Sequence, residues 1–532
     1  MEKVVEKMNI VNHKRNYLIL TILVLLNLFL FSGVSPIHSI YNMQYDEWVY
    51  YLIGKGITKG LVPYVDLLDH KGPYLFFIFA LANLINFKHI GLFVVESIVY
   101  VLIAIYSYKI SYLILEKITT DIEEKANEYI SIIVSFIIYC ISSSYYISFG
   151  SISAETLILP FILMTYSLFI DIILNDKSFY DKRFIITSGL SAGITFFIKG
   201  NAILCFIPIA IYIFIDLMIK KEYKKLMLIT ILGIGTFIIS LIPAFIYCIV
   251  TNSLNDMING AFIINMFYIG AGMPSSKTLF DSFFDTLLAF KEWTILCIFS
   301  VFLIWRLISS LEKNIKYRFM AFYVLSLFFN IYAVYMSFRP YTNYLNYLIF
   351  YFIPIVLFFV KSFVNIFLNN NDENLLFKNI MSMKILLIAM LLVINILSYS
   401  FSFEISSING ITQNRLANQV LKVYKNKLDK IKNVKLLVVG YEPYIYEAFD
   451  TLPNERYFAI PVVNREKYEE PYEALIEKIK EGSEEVVVVS FGRGMIKDAE
   501  FRENVYDALS DKYEKIGDAK SVNLKAEVYV LK

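Results

Sequence analysis

The stretch Leu226–Val250 reads LMLITILGIGTFIISLIPAFIYCIV and contains no charged side chain. As a helix it is long enough to cross the hydrocarbon core of a bilayer, which takes about 20 residues. The whole chain shares this bias, with 57% hydrophobic and 18% charged residues, against roughly 45–50% and about 25% in soluble domains. The sequence therefore predicts a polytopic membrane protein.

Comparable apolar runs recur along the chain, and they predict an all-α membrane domain of about eleven transmembrane helices, within a range of ten to thirteen. The predicted spans lie near residues 17–34, 90–115, 129–147, 154–173, 184–199, 202–219, 226–250, 290–310, 317–337, 342–360 and 384–402.

Basic residues between the spans indicate the side of each loop, because Lys and Arg concentrate in cytoplasmic loops. With a cytoplasmic N-terminus, the inside loops hold Lys117 and Lys125; Lys177, Lys182 and Arg183; Lys220, Lys221, Lys224 and Lys225; Lys313, Lys316 and Arg318; and Lys378. The apolar run Pro73–Phe87 is short for a crossing, and a crossing there would move every later cluster outside. We therefore predict an interfacial helix at 73–87 and an extracytoplasmic first loop at 35–89 in a multi-pass protein of the cell membrane.

The composition changes after the last predicted span, where Lys, Glu and Asp become frequent. We divide the chain into a transmembrane domain at 1–404 and an extracytoplasmic α/β domain at 405–532. Short β-type runs in this tail alternate with helical patterns, which is typical of α/β domains. The predicted strands are Lys435–Gly440, Glu485–Ser490 and Ala526–Leu531, and the predicted helices are 412–432, 468–481 and 499–512.

Charge and cysteine usage exclude some classes of function. A net charge of +2 is too small to indicate a nucleic-acid partner. The four cysteines, Cys140, Cys205, Cys248 and Cys297, all lie inside apolar runs and show neither metal-binding nor disulfide spacing. We expect them to be buried apolar residues.

The first outside loop carries a concentration of polar side chains next to the membrane. It contains Asp46 and Glu47, and then Asp69, His70 and Lys71. Charged groups held near a bilayer are usually paired or functional. Further polar groups fall on the same predicted side, namely Glu155, Lys199, Arg339, Tyr341 and Asn343. Such a face suits a site that handles a phosphate and a hydroxyl, because cations bind the phosphate and a carboxylate accepts the proton.

These residues resemble the motifs of the GT-C glycosyltransferases, especially the protein O-mannosyltransferase and aminoarabinose transferase branch. The resemblance rests on Asp46-Glu47 after the first span, Gly60-x-x-Pro63-Tyr64-x-Asp66, His70-Lys71-Gly72-Pro73, Glu155 at the start of a span, Lys199-Gly200-Asn201, Arg339-x-Tyr341-x-Asn343-Tyr344 before a span with Pro354, and Val438 to Tyr446 in the tail. The chain departs from the pattern where Asn343 replaces a histidine and where Pro73 is single.

The resemblance implies transfer of a sugar, with inversion, from a polyprenyl-phosphate carrier to an extracytoplasmic acceptor, which could be a cell-wall polymer, a glycolipid or a protein. Asp46 would be the general base. The remaining assigned residues would bind substrate: Lys71, Lys199 and Arg339 on the lipid phosphate, Asp69 and His70 on Lys71 or the sugar, Glu155 on Lys199 or a sugar hydroxyl, and Glu47, Tyr341 and Asn343 within the same site. The chemistry needs no organic cofactor, and no ligand cluster supports a divalent metal.

Three other functions remain open from the sequence. A transporter or lipid flippase would place ionisable residues near mid-span, whereas here they gather at one face, with Glu96, Lys109 and Arg306 towards span ends. A polysaccharide polymerase or ligase would share the topology but not the Asp46-Glu47 pattern. A scaffold whose tail binds a partner would need no base at position 46.

Overall fold

The computed structural model describes residues 2–38, 43–85, 89–119, 124–148, 152–272, 278–368, 412–427, 434–459, 465, 468–490, 498–522 and 524–532. Nine helices within these ranges are long and apolar enough to cross a membrane, which confirms a polytopic helical protein. They are His13–Phe31, Ile90–Ile118, Lys125–Ser148, Ala154–Leu174, Gly200–Ile219, Tyr223–Val250, Lys291–Ser310, Lys313–Tyr335 and Thr342–Val364.

Two of the eleven predicted spans need separate comment. The span predicted at 184–199 is a helix, Lys182–Ile198, but with 17 residues it is shorter than the nine. The span predicted at 384–402 lies outside the described residues. The other nine predictions each correspond to one of the long helices.

Shorter helices connect or precede the spans. They are Tyr45–Ile57, Pro73–Asn83, Leu254–Ile258, Ile264–Gly272 and Leu279–Ala289, with a π-helical turn at Asn259–Ile263. Helix Pro73–Asn83 has 11 residues, so its length of about 16 Å is too short to cross a bilayer core of about 30 Å. It begins with a proline directly after an extended glycine, Gly72, a position where the missing N–H of proline breaks no helical hydrogen bond.

The chain folds into two compact units. One comprises Met1–Ser32, Val95–Ile242 and Phe280–Phe403, and the other comprises Gly33–Val94, Pro243–Leu279 and Glu404–Lys532. The second unit thus joins the first loop to the tail, and it cuts across the predicted division at 404. Within it, helices Tyr45–Ile57 and Pro73–Asn83 approach closely at Gly54, where a Cβ atom would lie 2.5 Å from the carbonyl carbon of Phe79.

The tail contains a four-stranded sheet. Strands β1 (Leu436–Val439) and β2 (Val486–Ser490) are parallel, whereas β4 (Leu524–Leu531) runs antiparallel to β2 and to β3 (Tyr513–Ser521), in the order β1-β2-β4-β3. Its helices are 412–425, Tyr444–Ala448, Glu470–Glu481 and Ala499–Lys512. Leu437, Val439, Val487 and Val489 pack against Leu475, Ile479, Phe501 and Leu509 to form the core.

The structure confirms the predicted α/β tail, including the three predicted strands and helices near all three predicted positions. Strand β3 was not predicted. Its sequence, YEKIGDAKS, is rich in charged residues because β3 is an edge strand with exposed side chains, and charges are common on such edges.

Candidate active site

Asp46 lies in the first turn of helix Tyr45–Ile57, which follows the extended residue Gln44. The N-terminus of a helix carries a partial positive charge and favours an ionised carboxylate. The hydroxyl of Tyr441 donates a hydrogen bond to Asp46 Oδ1 at 2.8 Å. Glu47 is the next residue on the helix and therefore points about 100° away, and it is buried with 1% of its surface exposed. The two carboxylates thus have different surroundings.

Asp69, His70 and Lys71 form a short chain of polar contacts. Lys71 Nζ lies 2.6 Å from His70 Nε2, and His70 Nδ1 lies 3.7 Å from Asp69 Oδ2. An ammonium group has only donors, so Nε2 must be the acceptor and the imidazole proton is assigned to Nδ1, facing Asp69. The Asp69 carboxylate also accepts the backbone N–H of Lys71 at 3.0 Å. These contacts hold the Lys71 ammonium at one end of the row of three side chains.

Residues between the long helices Tyr223–Val250 and Lys291–Ser310 support these contacts. The Asn265 side chain donates to the carbonyl of His70 at 2.6 Å. The Tyr268 ring stacks on the His70 imidazole with centroids 4.7 Å apart, and it lies 6.0 Å from Lys71 Nζ. The buried Tyr64, in a left-handed conformation with φ of 70°, donates from its hydroxyl to the carbonyl of Lys71 at 2.7 Å. A nearby side chain, Tyr64, and a distant one, Asn265, therefore fix the backbone at 70 and 71.

Charge and burial shift the pKa of Asp69 and of Tyr441. Burial raises the pKa of the Asp69 carboxyl to about 6, while the Lys71 ammonium opposes the rise and the Asp46 carboxylate adds to it. Burial also raises the pKa of the Tyr441 hydroxyl well above its ordinary range, and the charges of Asp46 and Asp69 add to that rise. Tyr441 therefore stays protonated and acts as a donor at neutral pH.

The raised pKa of Asp69 predicts a specific pH dependence of stability. Because the folded pKa of about 6 exceeds the ordinary aspartate value of 3.8, ionising Asp69 costs on the order of 3 kcal/mol more in the folded protein than in the unfolded chain. The stability that this group contributes is present below about pH 4 and is lost as the pH rises through about 6. We expect an Asp69→Asn variant to lack this loss. The melting temperature of the variant in detergent, relative to that of wild type, should therefore rise between pH 4 and 6. A pH-independent difference between the two proteins would contradict the assignment.

The Tyr64 ring packs against Gly260, where the absence of a side chain makes room for it. A Cβ atom at Gly260 would lie 2.5 Å from Tyr64 Cδ1, so Gly260→Ala should displace the ring and, with it, the support of Lys71. We expect a loss of about 1–3 kcal/mol in stability and a loss of activity, measured by thermal unfolding and turnover. Gly235→Ala is the matched control, because nothing lies within 4 Å of a Cβ there; equal effects at both positions would refute the packing argument.

A second polar cluster lies in the other compact unit. Lys199 Nζ forms an ion pair with Glu155 Oε1, and Asn343 donates to Glu155 Oε2 at 2.9 Å. Glu155 sits in the first turn of helix Ala154–Leu174, which is capped by the Ser153 side chain. Lys199 occupies the break between helix Lys182–Ile198 and the 3-10 helix Gly200–Cys205, and its ammonium lies 3.9 Å from the Tyr344 ring centroid.

Two predicted residues of this unit, Lys199 and Asn343, thus both contact a third, Glu155, and two more lie near one another. Arg339, with 8% of its surface exposed, donates from Nη1 to the hydroxyl of Tyr341 at 3.3 Å. Asn343 holds Glu155 through an amide, a group that does not titrate. Whether the two clusters form one site stays a prediction, since each belongs to its own compact unit.

The predicted site omitted Tyr441, Tyr268, Asn265 and Tyr64 as ligands or supports. Tyr64 and Tyr441 belong to motifs that the sequence marked, but no role followed from their positions. Within the described residues, no group of three or more His, Cys, Asp or Glu side chains could hold a metal ion.

Comparison with known proteins places the fold. No protein-family model matches the chain, and no curated protein matches it. Among solved structures, ArnT from Cupriavidus metallidurans in the apo state matches with a TM-score of 0.52 and 10% identity, over 98% of this chain and 98% of that one. ArnT bound to undecaprenyl phosphate matches at 0.48 with 11% identity, over 98% and 97%. The Archaeoglobus fulgidus oligosaccharyltransferase in the apo form matches at 0.46 with 11% identity, over 96% and 74%. The likeness to apo ArnT shows that the chain shares the fold of that protein, which confirms the predicted fold.

Proposed function

We propose that the protein is an inverting glycosyltransferase that moves a sugar from a polyprenyl-phosphate carrier to an extracytoplasmic acceptor, with Asp46 as the general base. The observation that carries the proposal is the position of Asp46. Its carboxylate lies at a helix N-terminus, one of its oxygens accepts from Tyr441 at 2.8 Å, and its charge acts on Asp69 beside the Lys71 ammonium. Transfer of a sugar from a phosphate to a hydroxyl requires a base and a cation, and this compact unit contains both.

The reaction follows from these groups. The acceptor oxygen attacks the anomeric carbon from the face opposite the phosphate, and its proton passes to Asp46. The new glycosidic C–O bond forms as the bond between the anomeric carbon and the phosphate oxygen breaks, and the electron pair leaves with the polyprenyl phosphate. Inversion follows from this single displacement. Lys71 stabilises the charge that develops on the departing phosphate, and His70, bonded to its ammonium, fixes its direction.

Lys199 and Arg339 are the other cations that we assign to the lipid phosphate, with Glu155, Asn343 and Tyr341 holding them or the sugar. Glu47, Asp69 and His70 complete the substrate-binding residues. ArnT, whose fold the chain shares, has been crystallised with undecaprenyl phosphate, which supports a donor of this lipid class. We place the first loop and the tail outside the cytoplasm, where the acceptor, a wall polymer, a glycolipid or a protein, is available.

The test starts from cells that lack the protein. We expect them to accumulate a polyprenyl-phosphate sugar, which mass spectrometry of the lipid extract identifies. The extracted lipid is then mixed in detergent with the purified protein and a cell-envelope fraction. A glycosyltransferase converts it to free polyprenyl phosphate. A flippase breaks no bond in the lipid, and detergent leaves no two leaflets between which to move it, so the lipid stays intact. Unchanged lipid pools in the deletion strain, or an unconverted lipid in detergent, would overturn the proposal.

A further inference from the structure

The turn after strand β1 brings the tail to the Asp46 carboxylate. Strands β1 and β2 are parallel, so their carboxyl ends, Val439 and Ser490, lie at the same edge of the sheet, the edge where α/β proteins usually place functional loops. The chain turns sharply at Gly440, which has φ of 148°. A Cβ atom there would lie 2.9 Å from the Ser490 carbonyl oxygen, so glycine is required both by conformation and by close packing.

Neighbouring contacts fix the side chain of Tyr441 beyond this turn. The Ser490 hydroxyl donates to Glu442 Oε1 at 3.2 Å, which ties the turn back to β2. The ring of Tyr441 stacks on that of Tyr45, with centroids 6.2 Å apart and planes 13° apart. Tyr45 in turn meets the Tyr444 ring edge-on at 5.8 Å. The ring contacts and the turn therefore fix the position of the Tyr441 hydroxyl independently of its hydrogen bond to Asp46.

The helix that carries Asp46 is docked on the tail by further contacts. Trp48 Nε1 donates to Gln413 Oε1 at 3.2 Å, and Lys55 Nζ donates to Glu447 Oε2 at 2.8 Å. These contacts lie at both ends of helix Tyr45–Ile57 and involve residues of the same compact unit. The distance between the Tyr441 hydroxyl and Asp46 is therefore set by the docking of the whole helix.

We propose that Tyr441 is a positioning residue of the reaction, which holds Asp46 Oδ1 so that Oδ2 faces the acceptor hydroxyl. The inference rests on the proposed role of Asp46 as the base. A carboxylate on a short side chain rotates readily, and a donor fixed on one oxygen selects the orientation in which the other is presented to substrate. The tail then serves catalysis directly, beyond any part it has in choosing the acceptor.

The test is Tyr441→Phe, which removes the hydroxyl and keeps the stacked ring. The substrate is the sugar-carrying lipid extracted from cells that lack the protein. We expect kcat to fall about 10–100-fold with KM within about twofold, since the hydroxyl orients the base and does not bind the lipid. In an Asp46→Asn background, adding Tyr441→Phe should cause little further loss, since a positioning residue has no effect without its base.

The control is Tyr506→Phe, which removes a tail hydroxyl that bonds to Glu527 instead and should leave kcat unchanged. Thermal unfolding of each variant separates misfolding from a kinetic effect. Wild-type kcat in Tyr441→Phe, or losses that multiply in the double variant, would overturn the inference while leaving the base intact. Wild-type activity in Asp46→Asn would overturn the base and the inference together.

Discussion

An Asp46→Asn variant is expected to transfer sugar about 10²–10⁴-fold more slowly than wild type, the range that general-base catalysis typically supplies. Asparagine has the same shape, and its carbonyl oxygen can still accept from Tyr441, so the helix should keep its docking on the tail. It cannot take a proton from the acceptor. The loss should therefore appear in kcat with little change in KM, measured with the lipid isolated from the deletion strain.

Removal of a carboxylate elsewhere in the same unit gives the control for this variant. Asp450 has a side chain that is 95% exposed, at 3.7 Å from Lys55 Nζ, and Asp450→Asn should leave kcat within about twofold because an exposed ion pair contributes little. If Asp46→Asn folds, binds the lipid and turns over at the wild-type rate, Asp46 is not the base. Under a scaffold function, both variants would behave alike in every assay.

Local motifs were the part of the site that the sequence could predict. Asp69, His70 and Lys71 are adjacent in the chain, and the structure joins them by side-chain contacts. The partner of Asp46 could not be found in this way, because Tyr441 lies 395 residues further along the chain. Periodicity and composition report which residues are buried, but they carry no information on which distant elements pack together.

The same limit explains the grouping of the first loop with the tail. The change in composition near residue 404 marks the end of the apolar spans, and a division at that point follows naturally from composition alone. The compact units instead join Gly33–Val94 to the tail, because specific contacts such as Leu68 N–H to the Arg456 carbonyl at 2.8 Å hold them together. Hydropathy predicted the helices well since long apolar runs have few alternative structures.

Lys199→Met is the second variant with a large expected effect. The Glu155 side chain is 2% exposed and that of Lys199 is 11% exposed, so removing the ammonium leaves a buried carboxylate without its ion-pair partner. Such a change typically costs about 3–5 kcal/mol in stability. We expect a marked fall in melting temperature in detergent, and Glu155→Gln alone should cause a similar fall because it removes the charge that faces the buried lysine ammonium.

The double variant Glu155→Gln/Lys199→Met separates a structural role from a functional one. With both charges gone and Asn343 still able to bond to the glutamine, the double variant should regain most of the lost stability, since replacing a whole buried pair is often neutral. If Lys199 binds the lipid phosphate, activity will stay low despite the recovered fold, and KM for the lipid will rise because a phosphate contact is missing. Recovery of activity together with stability would show that the pair only holds the helices, and Lys199 would then leave the set of donor-binding residues.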